Sequence, residues 1–216
     1  VKKELTEIIV VMDQSGSMDS IKTDAIGGFN TFLSEQKKVP GKARFTLVLF
    51  DSQNYKEVYL SESIKKVKPL DESTYIPGAS TPLLDAVGRA IDKVGAKLAE
   101  LPESERPEKV VFVVLTDGHE NASTDYTKDK VKSMIKHQSD VYKWQFVFLG
   151  VNIDAFDSFT GGVAIGVGLQ GCCSTQGAQG ASGGYSMASN AVRNYRSGQT
   201  SSVDMSSSAG GVSNRS

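Results

Sequence analysis

The stretch Ile8-Ile9-Val10-Val11-Met12-Asp13-Gln14-Ser15-Gly16-Ser17-Met18 constrains this chain more than any other. Its first five residues are apolar and mostly β-branched, and the run is short. That is the pattern of a strand buried on both faces of a parallel sheet. The run stops at an aspartate, and two serines follow at alternate positions. A strand of this kind delivers its functional groups at its carboxyl end, in the crevice where open α/β sheets bind ligands. Asp13, Ser15 and Ser17 then arrive together, with Gly16 letting the chain turn between the hydroxyls. One carboxylate and two hydroxyls are hard oxygen donors, suited to Mg²⁺ or Mn²⁺ rather than to a soft metal. Taken alone, the same residues also fit a strand-to-helix loop whose Asp and Ser cap a helix.

The rest of the chain alternates between helix and strand signals. Ile21, Ala25, Ile26, Phe29, Phe32 and Leu33 fall at helical spacing, with Asp19 or Ser20 as the expected N-cap. Ala43 to Phe50 reads as a second strand and Tyr55 to Leu60 as a third. The Ser52-Gln53-Asn54 connection between them is too short for a crossover, so that pair is expected to be antiparallel. Leu84, Val87, Ile91, Val94, Leu98 and Leu101 form the clearest apolar stripe of a helix, with Pro82 expected just inside its start. Val110 to Leu115 is another apolar strand, running into Thr116-Asp117-Gly118. A helix through Val131, Met134 and Ile135 and a strand over Gln145 to Leu149 follow. Asp154 is expected to cap a short helix through Phe159, and Val163 to Leu169 to form a weak edge strand. Tyr185, Ala188, Val192 and Tyr195 predict a last helix from about Ser182 to Arg196. The order β-α-β-β-α-β-α-β-α predicts a Rossmann-like, doubly wound α/β sheet, mostly parallel with one antiparallel edge strand and helices on both faces.

The chain's 216 residues suffice for one domain with a real core. Residues 1–197 are expected to form it, with a Gly/Ser-rich loop at 170–184 and a low-complexity tail at 198–216. With 24 basic against 25 acidic residues, no nucleic-acid footprint shows. The longest apolar runs are strand-sized, which argues against a membrane-spanning helix, and no secretory h-region opens the chain. The two cysteines, Cys172 and Cys173, are adjacent and cannot reach ordinary disulfide geometry without strain. A reducing, cytoplasmic setting is the expectation.

A cation held by Asp13, Ser15 and Ser17 requires further oxygen ligands at neighbouring strand ends or in facing loops. Thr81, in the Gly-Ala-Ser-Thr-Pro loop before a helix, and Asp117, at the end of a buried strand, stand where that geometry wants them. The set is then two carboxylates and three hydroxyls. In order and placement, Asp13-x-Ser15-x-Ser17, Thr81 and Asp117-Gly118 resemble the metal-ion-dependent adhesion site of von Willebrand factor A domains. The resemblance covers residues 5 to about 155 and extends loosely to 197. With no cysteines bracketing the domain, the chain resembles the small free-standing bacterial and phage members more than the secreted animal ones. The resemblance implies that Ser15, Ser17 and Thr81 bind Mg²⁺ (or Mn²⁺) directly or nearly so, with Asp13 and Asp117 often acting through water. It further implies that an Asp or Glu carboxylate of a protein partner completes the shell.

Binding rather than catalysis is the expectation, because no side chain of general-base type is evident beside the site. Asp13-Gln14-Ser15-Gly16-Ser17 also resembles the loops of aspartyl-phosphate enzymes. Those need a second acidic pair and a lysine; Asp117 is followed by Gly118 and His119 instead. A structural alternative assigns the glycine-rich C-terminal region to self-assembly in a virion or filament, with a virion-associated location if the source is a phage. His119 and His137 are read as solvated, Glu120 and Asn121 as rim or supporting residues, and Trp144 as packing. Asp51 is read as either a turn cap or a contact to a metal-bound water, and Cys172-Cys173 as small apolar residues in a weak strand.

Overall fold

The computed structural model describes residues 1–150, 172–174 and 178–203. Among these residues six strands form one sheet: β1 (Lys2–Asp13), β2 (Lys42–Phe50), β3 (Tyr55–Ser63), β4 (Pro107–Thr116), β5 (Gln145–Gly150) and β6 (Cys172–Ser174). Their order is β3-β2-β1-β4-β5-β6, and among the described residues only the β2–β3 pair is antiparallel. The helices are α1 (Lys22–Lys38), α2 (Leu83–Glu100), α3 (Lys128–Tyr142) and α4 (Ala178–Arg196). The fold is therefore Rossmann-like and doubly wound, as the alternation of periods predicts.

β1 lies at the centre, and its side chains divide by parity. Ile8, Val10 and Met12 pack with Phe29 and Leu33 of α1 and Val192 of α4. Ile9 and Val11 pack with Val87 and Ile91 of α2 and Val131 of α3. Both faces are thus covered, which is why the strand reads as a continuous apolar run rather than an alternating one. Trp144, only 3% exposed, stacks near Phe112 and Phe146, so it is a packing residue.

Several local expectations are corrected. A 3₁₀ turn over Gly16–Ile21 feeds α1 directly, so Ile21, not Asp19 or Ser20, stands at the N-cap position. Pro82 occupies the N-cap of α2 rather than its first helical residue, with φ −81° and ψ 65°. α4 starts four residues ahead of the expected Ser182, at Ala178. Beyond α4 the chain folds back: Val203 is fully buried, and its N–H donates to Gln145 Oε1 at 3.2 Å. Packed structure therefore runs past residue 197. The expected helix at Asp154–Phe159 and strand at Val163–Leu169 lie outside the described residues, as does most of the expected tail.

Among the buried polar side chains, one carboxyl lies within the central strand far from its carboxyl end. Glu7 on β1 is fully buried; its Oε1 accepts from Ser61 Oγ at 2.8 Å and Thr46 Oγ1 at 3.2 Å, while Oε2 has no partner among the described residues. β3 bulges to supply Ser61, which sits in the left-handed region at φ 50°. Burial pushes the Glu7 carboxyl above its ordinary 4.5. The folded state then binds a proton that the unfolded state releases above that pH, so stability falls as pH rises from about 4.5 through the folded pKa, by at most ~1.4 kcal/mol per pH unit. Glu7→Gln is expected to flatten that slope. Urea midpoints of both proteins across pH 4.5 to 8 check it: parallel curves would mean that Glu7 does not titrate differently on folding.

Candidate metal centre

Register places the first two loops side by side. Asp13 pairs with Phe50 on β2, and Met12 pairs with Leu115 on β4. Thr116-Asp117-Gly118 therefore leaves the sheet beside Asp13-Gln14-Ser15. The loop before α2 is stitched to the first. Gly16 N–H donates to Ala79 O at 3.0 Å, Gly78 N–H to Gln14 O at 2.9 Å, and Gln14 Nε2 to Ile76 O at 2.5 Å. The Tyr75 hydroxyl, fully buried, donates to the Asp13 carbonyl. Ala79 turns this loop in the left-handed region at φ 59°, which brings Thr81 over the sheet edge.

The five sequence-predicted residues do converge. Ser17 Oγ donates to Asp117 Oδ1 at 3.0 Å and lies 3.1 Å from Ser15 Oγ. Gly118 supplies the clearest measure of the cradle between them. A methyl group built there would lie 2.7 Å from Thr81 Oγ1, 3.0 Å from Asp13 Oδ2 and 3.1 Å from Ser17 Oγ. Oxygens from three loops thus surround one small volume. Asp13, Ser15, Thr81 and Asp117 are buried, whereas Gly16, Ser17 and His119 are exposed. The opening faces outward at Ser17.

Electrostatics fit a cation. Asp13 is pushed up to about 6 by burial, against the hydrogen bonds from Thr116 and Ser15 that favour its charge; the nearby Asp117 raises it further. Burial also raises Asp117. Two desolvated carboxyls this close are costly to ionise without an ion between them. Among the described residues no cluster of three His, Cys, Asp or Glu side chains exists, so any metal here relies on the hydroxyls. That donor set is hard, and Mg²⁺ accepts about six oxygens, several of them usually water. The residues present fit such an ion.

Two supporting residues, Thr116 and Tyr75, carry no sequence mark of that role. Thr116 Oγ1 donates to Asp13 Oδ2 at 2.6 Å, and Ser15 N–H to Asp13 Oδ1 at 2.7 Å, fixing both carboxylate oxygens. Position alone speaks for Thr116, the hydroxyl directly preceding Asp117 at a strand end; the Tyr75 contact has no such signal. Asn121 holds Thr81 at both ends, accepting from its N–H at 2.9 Å and donating to its carbonyl at 3.2 Å. Glu120 accepts from Leu84 N–H at 2.8 Å and so caps α2. Both are supporting residues. Asp51 Oδ1 accepts from the Gln53 and Asn54 N–H groups, each at 2.7 Å, and is a turn cap. His119 and His137 are exposed.

No curated relative matches the chain. Among solved structures it is similar to a von Willebrand factor type A protein from Catenulispora acidiphila, with a TM-score of 0.54 at 14% identity, over 89% of this chain and 42% of that one. It is also similar to manganese-loaded TRAP protein of Plasmodium vivax, with a TM-score of 0.55 at 16% identity, over 80% and 70% respectively. The chain thus spans less than half the length of the first of these, and at such identities the likeness is one of fold. The family model of the von Willebrand factor type A domain matches residues 7–154, from the central strand to beyond the fifth. On that match, and with the doubly wound sheet to support it, the chain belongs to the von Willebrand factor type A domain family.

Proposed function

We propose that this domain binds a protein partner through a divalent cation, Mg²⁺ or Mn²⁺, held by Ser15, Ser17 and Thr81 with Asp13 and Asp117. The observation that carries this reading is the convergence of oxygens from three loops on the methyl-sized space beside Gly118. Bound there, the ion supplies an electrophilic coordination position, and the two aspartates formally neutralise it. An Asp or Glu carboxylate of the partner is the natural outside ligand. Thr116 and Asn121 act on the chain's own side, holding Asp13 and Thr81 so that little ordering remains to be done on binding. The manganese-loaded relative with the same fold supports the choice of metal. A binding role rather than catalysis is part of the proposal: both Asp13 oxygens are engaged by hydrogen bonds, which disfavours a nucleophilic carboxylate. So is a reducing, cytoplasmic setting, for which the adjacent cysteines argue.

Gly118→Ala tests the cradle. Its backbone does not need glycine, so the fold should persist, but the new methyl group would sit among the ligands. Calorimetric Mg²⁺ and Mn²⁺ titrations should show affinity reduced about tenfold or more, by ~1.4 kcal/mol. Native-like affinity in Gly118→Ala would place any metal elsewhere.

A further inference from the structure

The two crossover loops at the amino end of the sheet carry opposite charge. Residues 37–44, spanning the end of α1 and the start of β2, hold Lys37, Lys38, Lys42 and Arg44 and no acid. Residues 100–108, spanning the end of α2 and the start of β4, hold Glu100, Glu103, Glu105 and Glu108 against Arg106 alone. α1 packs on one face of the sheet and α2 on the other, while β2 and β4 flank β1 on its two sides. The basic and acidic loops therefore stand apart, across the amino end of β1. Lys37, Lys38, Lys42, Glu100, Glu103 and Glu105 are all exposed. Of these only Lys38 forms an ion pair among the described residues, with Glu35.

Beside the acidic loop lies a cavity of about 360 Å³. Leu98, Ala99, Val110 and Trp144 give it an apolar lining, and Glu103 and Glu108 stand in the same wall. Arg106 is there too, but its guanidinium is turned to the end of α2: Nε donates to Leu101 O at 3.0 Å and Nη2 to Ala99 O at 2.9 Å. The glutamates therefore set the field at the cavity. An apolar slot bordered by carboxylates suits the methylene stem of a lysine with its ammonium left at the rim. Tyr142, at the end of α3, also lines the cavity, and it and its neighbour Val141 are 57% and 56% exposed. Apolar cover and negative charge thus meet at one place.

We propose that the amino end of the sheet is a docking surface for a second copy of this chain, the basic loop of each copy seated against the acidic loop and cavity of the other. A two-fold axis across the amino end of β1 exchanges the two loops, so one contact made twice closes the pair. Opposite potentials then face each other on both sides of the axis, which steers encounter and fixes register. Turning one copy by half a turn about the strand direction would set lysine against lysine and glutamate against glutamate. The charges therefore select one orientation. Lys38 and Lys42 supply long flexible cations, and Tyr142 supplies a large ring for the interior of the contact. The pairing does not depend on the metal reading. The metal loops stand at the opposite, carboxyl ends of the strands, so in such a pair both stay open and point away from each other.

Sedimentation equilibrium of the full chain, with metal chelated by EDTA, tests this. The native protein should form a dimer and nothing larger at low salt. Its dissociation constant should rise about tenfold or more between ~0.05 and ~0.5 M salt, as exposed charges are screened. Glu103→Lys/Glu105→Lys should be monomeric, because two basic loops then face each other, and Lys38→Glu/Lys42→Glu should be monomeric for the converse reason. All four side chains are exposed, so thermal melts by circular dichroism should show both variants folded. An equimolar mixture of the two should dimerise again, since each reversed loop then meets one of opposite sign. A native chain still monomeric at about 0.1 mM, far above a micromolar dissociation constant, would overturn the proposal. So would a dimer indifferent to salt or to either reversal, association that continues beyond two copies, or folded variants that fail to pair when mixed.

Discussion

Asp13→Asn is expected to lower Mg²⁺ affinity by at least a hundredfold, about 3 kcal/mol, while leaving the metal-free fold as stable as before or more so. The two effects have one cause. Asp13 is fully buried at the end of the central strand, and its carboxyl stands at about 6 instead of its ordinary 3.8. Without a cation, the folded state holds a proton that the unfolded state gives up. Stability from this group is complete below pH 3.8 and declines until about pH 6, a loss of roughly 3 kcal/mol at ~1.4 kcal/mol per unit. An amide removes the charge, and its Nδ2 can donate to the Thr116 hydroxyl, which has Gly118 O as an alternative acceptor, so that decline should vanish in the variant. With the native chain, metal must displace the proton, and Mg²⁺ affinity should fall up to tenfold per unit as pH drops below about 6. Calorimetry across pH 5 to 7.5 with thermal melts, with and without metal, reads both. A variant that melts several degrees lower without metal, or that binds Mg²⁺ as the native chain does, contradicts the role given to Asp13.

Gly28→Ala is expected to destabilise the domain by about 2 kcal/mol or more, although alanine is the better helix former by ~1 kcal/mol. A Cβ on Gly28 would lie 2.1 Å from Tyr185 Cδ2 and 2.4 Å from its Cγ and Cε2. Those atoms belong to a buried ring root and cannot swing aside; α4 as a whole must shift from α1. The position needs glycine for space, not for backbone conformation. Chemical denaturation measures the cost, and Tyr185→Leu supplies the cycle: the loss from Gly28→Ala should shrink in that background, since the two residues share one contact. Additive losses would show that the strain lies elsewhere.

The candidate ligands were legible because each stands at an element end, where a change of residue character marks it. Asp13 ends an apolar run, Thr81 precedes a proline and an apolar stripe, and Asp117 follows a second apolar run. Asp51 looked similar by the same rule and proved to be a turn cap, since a carboxylate two residues before backbone N–H groups serves either purpose. What surrounds the ligands was less legible. That Thr116 meets Asp13, or that Tyr75 reaches the Asp13 carbonyl, depends on how β4 and the loop before α2 sit against β1, across 103 and 62 residues of chain. No local pattern encodes those separations.

By itself the sequence determined the alternation of strands and helices, the burial of β1 on both faces, and the set of hard oxygen donors. Periodicity and residue chemistry are local properties, so they can be read along the chain. Only the tertiary structure decided which donors share one space, that Glu7 is buried with one carboxylate oxygen unpartnered among the described residues, and that Val203 returns to the core. Each depends on parallel register and helix packing, which bring together groups far apart in sequence through contacts that nothing in their immediate neighbours specifies.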